Sequence, residues 1–166
     1  MRRFLAVLPL LAMGCAPSLT YRIEGPATDE QRAALVDGVA SWNAHTDAKH
    51  KLRISAKGDY VVSFPERIIA DGRDWDGREC TKRTLADTLF GNANCPTAPS
   101  IRVIRALTGV RLLQVMRHEL GHSLGIKHID EDGPLMGGPG RAKANDITER
   151  DITECRRVPA CPEKTP

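Results

Sequence analysis

"HELGHSLGIKH", residues 118–128, holds three of the chain's five histidines. His118 and His122 stand four residues apart. On an α-helix their directions differ by about 40° and their Cα atoms by about 6 Å, so two imidazoles can grip one ion. Glu119 is rotated about 100° from His118, which suits a carboxylate beside the ion better than one bound to it. His-Glu-x-x-His on a helix is the pattern of two zinc-binding imidazoles with a glutamate as general base. His128 is the harder residue to place. If the helix ran on, it would lie about 15 Å farther along the axis than His118. Gly125 is where the chain is expected to turn back, because glycine adopts positive φ at a helix C-terminus without steric cost. The spacing thus predicts a helix, a reversal near 125 and three imidazoles on one divalent ion.

Three neutral histidines leave a tetrahedral zinc one open position, the arrangement of a catalytic rather than a structural site. Zinc in such a site lowers the pKa of water to about 7 and polarises a carbonyl. Glu119 is placed to take the proton from the attacking water and return it to a departing amine. Ser123 has no triad partners and is expected to serve packing or helix hydrogen bonding. Glu149 or Glu154 would supply the third ligand in a different zinc arrangement, which Gly125 and His128 make unnecessary. His45 and His50 have no partnered spacing and read as surface histidines.

Met136 stands eight residues past His128, in "PLMGG". Together with residues 118–128 it resembles the long zinc signature of the metzincin peptidases, and the gap and the Leu-Met pair are most similar to the matrixin branch. The resemblance implies an α+β, zincin-like single domain: a twisted mixed sheet, an early helix, a zinc-site helix and a C-terminal helix. It further implies a zinc-dependent endopeptidase acting on protein or peptide substrates, with Met136 in a tight turn beneath the metal. An extended substrate would lie along a sheet edge upstream of the zinc helix, for which residues 84–90 and 100–104 both qualify. The sequence departs from the family pattern in places. Ile129 stands where matrixins usually have Ser. Gly137-Gly138-Pro139 replace the usual Tyr-Pro, removing one aromatic wall of the specificity pocket. Gly138 also excludes the tyrosine ligand of the astacin-like and serralysin-like members, and no cysteine-switch propeptide fits between Cys15 and Tyr21.

Outside the motif, "YRIE" (21–24), "KLRISA" (51–56), "YVVSF" (60–64) and "SIRVI" (100–104) read as strands. In "KLRISA" the alternation predicts Leu52, Ile54 and Ala56 facing inward. Thr28 and Gln31 have capping-box spacing ahead of a helix whose Leu35, Val39 and Trp42 form a buried stripe. From Thr108 to about Leu124, Leu112, Leu113, Met116, Leu120 and Leu124 share one broad face opposite the histidines. Thr148, with Asp151 three residues on, predicts a last short helix with Ile147, Ile152 and Cys155 as apolar contacts. Residues 66–100 are turn-rich and carry little pattern, as in a functional or disulfide-held loop region. Asp71, Asp74 and Asp76 admit calcium but lack the EF-hand spacing, so a solvated acidic turn is the simpler reading.

With 166 residues the chain is long enough for one cored domain. Arg2 and Arg3, then the apolar run Phe4–Ala12 and "LAMGC", read as a secretory signal in residues 1–14. "LAMGC" resembles a bacterial lipobox, although Ala12 stands where the commonest pattern has leucine. Cys15 would then become the lipidated first residue, 15–20 a short tether, 21–158 the catalytic domain and 159–166 a tail. The apolar run is far shorter than the roughly 20 residues a membrane span requires. Removing the signal leaves 22 basic against 21 acidic residues, and nothing in that balance or in its distribution suggests nucleic acid. The expected setting is a monomer anchored in the bacterial cell envelope. Cys80, Cys95, Cys155 and Cys161 form an even set in an exported chain, which favours two disulfides. Three connectivities are possible, and Cys80–Cys95 with Cys155–Cys161 is preferred because each pair brackets a turn-rich stretch. A zinc-holding envelope protein that binds partners without cutting them is the alternative function, against which Glu119 speaks. A third is a zinc hydrolase of non-peptide amides.

Overall fold

The computed structural model describes residues 18–45, 51–70, 73–74, 76–80, 99–158 and 161. In chain order its elements are β1 (Thr20–Ile23), α1 (Asp29–His45), β2 (Arg53–Ile54), β3 (Tyr60–Ser63), β4 (Ile69–Ala70), β5 (Arg73–Asp74), β6 (Gly77–Cys80), β7 (Ser100–Val103), α2 (Gly109–Ser123) and α3 (Glu149–Cys155). Five strands form one sheet in the order β2-β1-β3-β7-β6, while β4 and β5 pair separately. All neighbours in the large sheet run parallel except β6, which is antiparallel to β7 with Gly77 opposite Val103 and Cys80 opposite Ser100. This is the expected α+β arrangement of mixed sheet, early helix, motif helix and C-terminal helix.

Strand periodicity decides which sheet face is covered. Tyr60, Val62 and Phe64 are buried, as are Ile101 and Val103, while Val61, Ser63 and Arg102 between them are partly exposed. The helices supply the other half of the core: Leu35, Val39 and Trp42 from α1, and Leu112, Met116, Leu120 and Leu124 from α2 and its end. The capping box forms, with Gln31 N–H donating to Thr28 Oγ1 at 3.2 Å and Thr28 N–H to Gln31 Oε1 at 2.9 Å. Trp42 Nε1 donates to the Arg117 carbonyl at 2.8 Å, and Arg117 pairs with Asp37 at 2.6 Å, so the two long helices are tied by polar groups as well as packing.

Three sequence expectations are corrected. Leu52 is buried, but Ile54 is 45% exposed and Ala56 is exposed. β2 is a two-residue edge strand, too short to impose the alternation that "KLRISA" suggests. Leu113 is only partly buried. The faces of α2 beside the histidines are less open than expected, since Gln114, Val115, Glu119 and Ser123 are buried against neighbouring elements. Residues 100–104 are not a free edge, because β7 lies between β3 and β6. The outer strand next to α2 is β6, and residues 84–90 lie outside the described residues.

Cys155 and Cys161 form the expected disulfide, with Cα atoms 5.2 Å apart, and both are buried. Cys161 is therefore pinned to the domain three residues beyond the expected boundary at 158. The pairing of Cys80 with Cys95 falls outside the described residues, as do the signal, Cys15 and most of the tether. Among the described residues no helix is long and apolar enough to cross a membrane.

The turn before β3 packs tightly on β1. Thr20 Oγ1 donates to Asp59 Oδ2 at 2.9 Å, and the Arg22 guanidinium donates to the Gly58 carbonyl. A Cβ at Gly58 would lie 2.4 Å from the Tyr21 carbonyl carbon and 2.6 Å from Arg22 N, backbone atoms that cannot rotate away. Gly58→Ala is expected to destabilise the fold by about 1–3 kcal/mol or more through overpacking. Denaturant titration reads this as a lowered midpoint, and an unchanged midpoint would refute so close a crossing.

A candidate metal centre on the second long helix

Helix α2 starts without a side-chain cap from Thr108. Its Gly109 N–H instead donates to Glu30 Oε1 of α1 at 2.6 Å. The other end is a Schellman closure. Gly125 has φ of +93°, its N–H donates to the His122 carbonyl at 2.8 Å, and Ile126 N–H reaches back to the Gly121 carbonyl at 3.2 Å. The reversal falls at the expected residue and returns His128 to the helix.

The three imidazoles meet. His118 Nε2 lies 3.0 Å from His122 Nε2 and 3.3 Å from His128 Nε2, and the last two are 3.1 Å apart. A tetrahedral zinc about 2.0–2.1 Å from each nitrogen spaces its ligands by about 3.4 Å, close to this triangle. The remaining ring nitrogens decide the tautomers. His118 Nδ1 donates to the Leu135 carbonyl at 2.7 Å and His122 Nδ1 to the Ile126 carbonyl at 2.7 Å. Nδ1 thus carries the proton and the Nε2 lone pair faces the common centre, the usual way outer partners orient a metal-binding histidine. Burial above all takes His118 from its ordinary 6.5 to about 4, with the Leu135 hydrogen bond opposing the shift and the neighbouring His128 adding to it. Burial, then the adjacent His118, takes His122 down to about 3. Burial lowers His128 as well. All three are neutral donors at pH 7, so the donor set fits zinc. Among the described residues this is the single cluster of three or more histidine, cysteine or carboxylate groups able to share an ion.

Met136 is fully buried in a turn closed by Gly137 N–H to the Pro134 carbonyl at 3.0 Å and by Ile129 N–H to the Met136 carbonyl at 2.8 Å. Its sulfur sits against Gly121, where a Cβ would come within 2.4 Å of Sδ. The residue that holds this turn is Asp151, which sequence reading recognised only as a cap. Its fully buried carboxylate accepts from Leu135 N at 3.1 Å and Met136 N at 2.8 Å, as well as from Thr148 N at 2.8 Å and Thr148 Oγ1 at 2.6 Å. No local pattern could have shown the first two bonds, which span fifteen and sixteen residues.

Glu119 is 5% exposed and faces Gly77 of β6. Ser123 is structural, donating to the Leu120 carbonyl at 2.6 Å and lying 2.6 Å from the Tyr21 hydroxyl. Glu154 pairs with Arg150 and Arg157, and neither it nor Glu149 joins the imidazoles. His45 is exposed at the end of α1, and His50 is outside the described residues. Of the proposed calcium ligands, Asp76 gives its carboxylate to Arg111 at 3.0 Å, and the side chains of Asp71 and Asp74 are not among the described ones.

Gly125 tests how far the site depends on the reversal. It is exposed, and a Cβ there would meet only Val158 Cβ at 3.9 Å, so substitution strains the backbone without crowding. Gly125→Ala is expected to cost about 1–2 kcal/mol in the left-handed conformation. Zinc affinity in a chelator competition should fall by about tenfold. Gly125→Asn should lose less, because asparagine tolerates that conformation. Equal affinities for all three proteins would show that the reversal does not limit zinc binding.

Comparison with known proteins agrees with this geometry. The matrixin family model matches residues 15–157. The chain is 28% identical over 123 residues to interstitial collagenase of Oryctolagus cuniculus, covering 71% of this chain and 26% of that protein. It is 27% identical over 132 residues to matrix metalloproteinase-26 of Homo sapiens, covering 72% of this chain and 48% of that protein. The chain thus spans about a quarter of the first relative and about half of the second. With three imidazoles on a reversed helix end and a buried methionine turn beside them, the chain belongs to the matrixin family of the metzincins.

Proposed function

We propose that the domain is a zinc endopeptidase in which His118, His122 and His128 hold the ion and Glu119 is the general base. The observation that carries the reading is the convergence of three neutral Nε2 atoms within 3.3 Å of one another, with a buried carboxylate on the next residue of the same helix. Zinc bound there supplies Lewis acidity toward a water and a peptide carbonyl.

The chain's own residues do the rest. An extended peptide adds to β6, the outer strand of the sheet, whose Gly77 end lies against α2 beside Glu119. Backbone pairing along that edge would bring the scissile carbonyl to the imidazole cluster. As water oxygen bonds to the carbonyl carbon, Glu119 takes the proton that the water loses. When the carbon–nitrogen bond breaks, Glu119 passes that proton to the departing amine, so the carboxylate is regenerated. The Leu135 and Ile126 carbonyls, which accept from Nδ1 of His118 and His122, keep those two imidazoles from turning during this exchange. Met136 shapes the floor beneath them and contributes no ligand. The lack of an aromatic side chain at Gly137 and Gly138 favours an open, weakly selective subsite after the scissile bond. We further propose that the protein is exported and anchored to the bacterial envelope by a lipid on Cys15, on the strength of Arg2, Arg3, the apolar run Phe4–Ala12 and "LAMGC".

On a peptide library, Glu119→Ala is expected to stay folded and keep about one zinc per chain while hydrolysis falls by about 10²–10⁴-fold, the usual contribution of a general base. His122→Ala should lose the metal itself. If the wild-type protein, loaded with zinc, cuts nothing in a broad library, the reading as a zinc-holding binding protein replaces this one. Separately, metabolic labelling with a radiolabelled fatty acid in a bacterial host should mark the wild-type protein and not Cys15→Ser, and equal labelling of both would sink the anchor.

A further inference from the structure

We infer that Gly77, the first residue of β6, sets the position of the Glu119 carboxylate; the inference rests on Glu119 being the general base. Gly77 is buried, and its φ lies outside the left-handed region that favours glycine. Backbone freedom therefore does not explain a glycine at this point. Space does. A Cβ would stand 2.5 Å from Val115 Cγ1, 2.8 Å from Glu119 Oε1 and 3.0 Å from Glu119 Cγ. The first two distances are shorter than real Cβ atoms show and the third is tighter than most, and two of the three involve the same carboxylate side chain.

The strand cannot retreat to make room. Gly77 is in register with the fully buried Val103, and Ile104 N–H donates to the Asp76 carbonyl at 2.8 Å. The Asp76 carboxylate is gripped by Arg111 of α2, which also donates to Gln114 Oε1 at 2.6 Å. The corner where β6 meets α2 is thus fastened by backbone pairing on one side and an ion pair on the other. On the helix, Val115 is β-branched and held close to one χ1 rotamer. Glu119 has three rotatable bonds and is the group that gives way. The bare backbone of Gly77 acts as a flat seat against which the carboxylate lies. A side chain there pushes it off the line between the attacking water and the leaving amine. Displacement of about 1 Å at such a centre is enough to cost about 10²-fold in rate. Gly77 touches no reacting atom, so it is a positioning residue.

The test uses the zinc-loaded full chain with Gly77→Ala and with the double variant Gly77→Ala/Val115→Ala, in which the crowding of valine is removed and that of the carboxylate is kept. Three readouts are needed: denaturation midpoint, kcat and KM on a cleaved peptide, and crystal structures of the variants. Val115→Ala alone is the reference for the double variant. The double variant should recover the midpoint of that reference, bind zinc as tightly, and show KM within about twofold. Its kcat should remain about 10–100-fold down, with the carboxylate moved by about 1 Å. A wild-type carboxylate position or a wild-type kcat in the double variant overturns the inference. So does failure of both variants to fold, which would make Gly77 a packing residue of the sheet. If the wild-type protein cuts no peptide, the endopeptidase reading fails, while the crystallographic position of Glu119 still decides whether Gly77 seats it.

Discussion

A helix that carries two imidazoles moves away from their common point with every further residue, so a third can join them only if the helix is stopped within one turn of the second. That stop is the constraint on which the site is built. The hydrogen bond from Ile126 N–H to the Gly121 carbonyl closes the helix, and the Ile126 carbonyl in turn accepts from His122 Nδ1. One residue therefore ends the helix and orients a ligand. Helix termination and ligand geometry are not two devices that happen to lie together. Loss of the left-handed turn at Gly125 would free the Ile126 carbonyl as well as misdirect His128, so both would be expected to fail together.

A similar economy appears on the other side of the imidazoles. The Leu135 carbonyl orients His118, and the peptide bearing it is held by the Asp151 carboxylate through the N–H groups of Leu135 and Met136. Asp151 also caps α3 through Thr148. A fully buried carboxylate is tolerated here because four donors replace the water it has lost. The consequence is that α3, which supplies none of the three imidazoles, is mechanically joined to their cluster. The Cys155–Cys161 disulfide fixes the end of that helix, and Val158 between the two cysteines lies over Gly125. Both turns that flank the imidazoles thus lie against α3 or the residues just after it.

Much of this was legible in the sequence because the relevant forces are local. Helical spacing placed His118, Glu119 and His122, the conformational freedom of glycine located the reversal, and two capping boxes marked the starts of α1 and α3. What escaped was non-local. Asp151 read as a cap because its bonds to residue 151's own turn lie three residues away, whereas those to Leu135 and Met136 require the folded chain. The alternation in "KLRISA" put Ile54 inside, since periodicity reports which side a residue takes but not that the strand is a two-residue edge. The choice of outer strand depended on pairing order: "SIRVI" has the stronger strand composition, and it is that apolar character which places it within the sheet and leaves the glycine-bearing, charged "GREC" at the rim. No local pattern marks the need for glycine at 77 and 58, because the reason for each is a neighbour far away in sequence.

The electrostatics of the cluster explain why so much of the fold is spent on holding three rings. Three Nε2 lone pairs aimed at one point repel one another, and hydrogen bonds from Nδ1 to fixed carbonyls prevent the rings from turning to relieve it. Protons would be the simplest remedy. Burial forbids that remedy, since a charged imidazole in this setting is poorly solvated and stands beside two others; His118 and His122 accordingly stay neutral until about pH 4 and about pH 3. A divalent cation would satisfy these lone pairs at once. Near neutral pH, protons therefore do not compete for the His118 and His122 nitrogens. Rigid carbonyl partners and burial thus act in the same direction. Together they hold the His118 and His122 rings neutral and in place, as a bound cation would require.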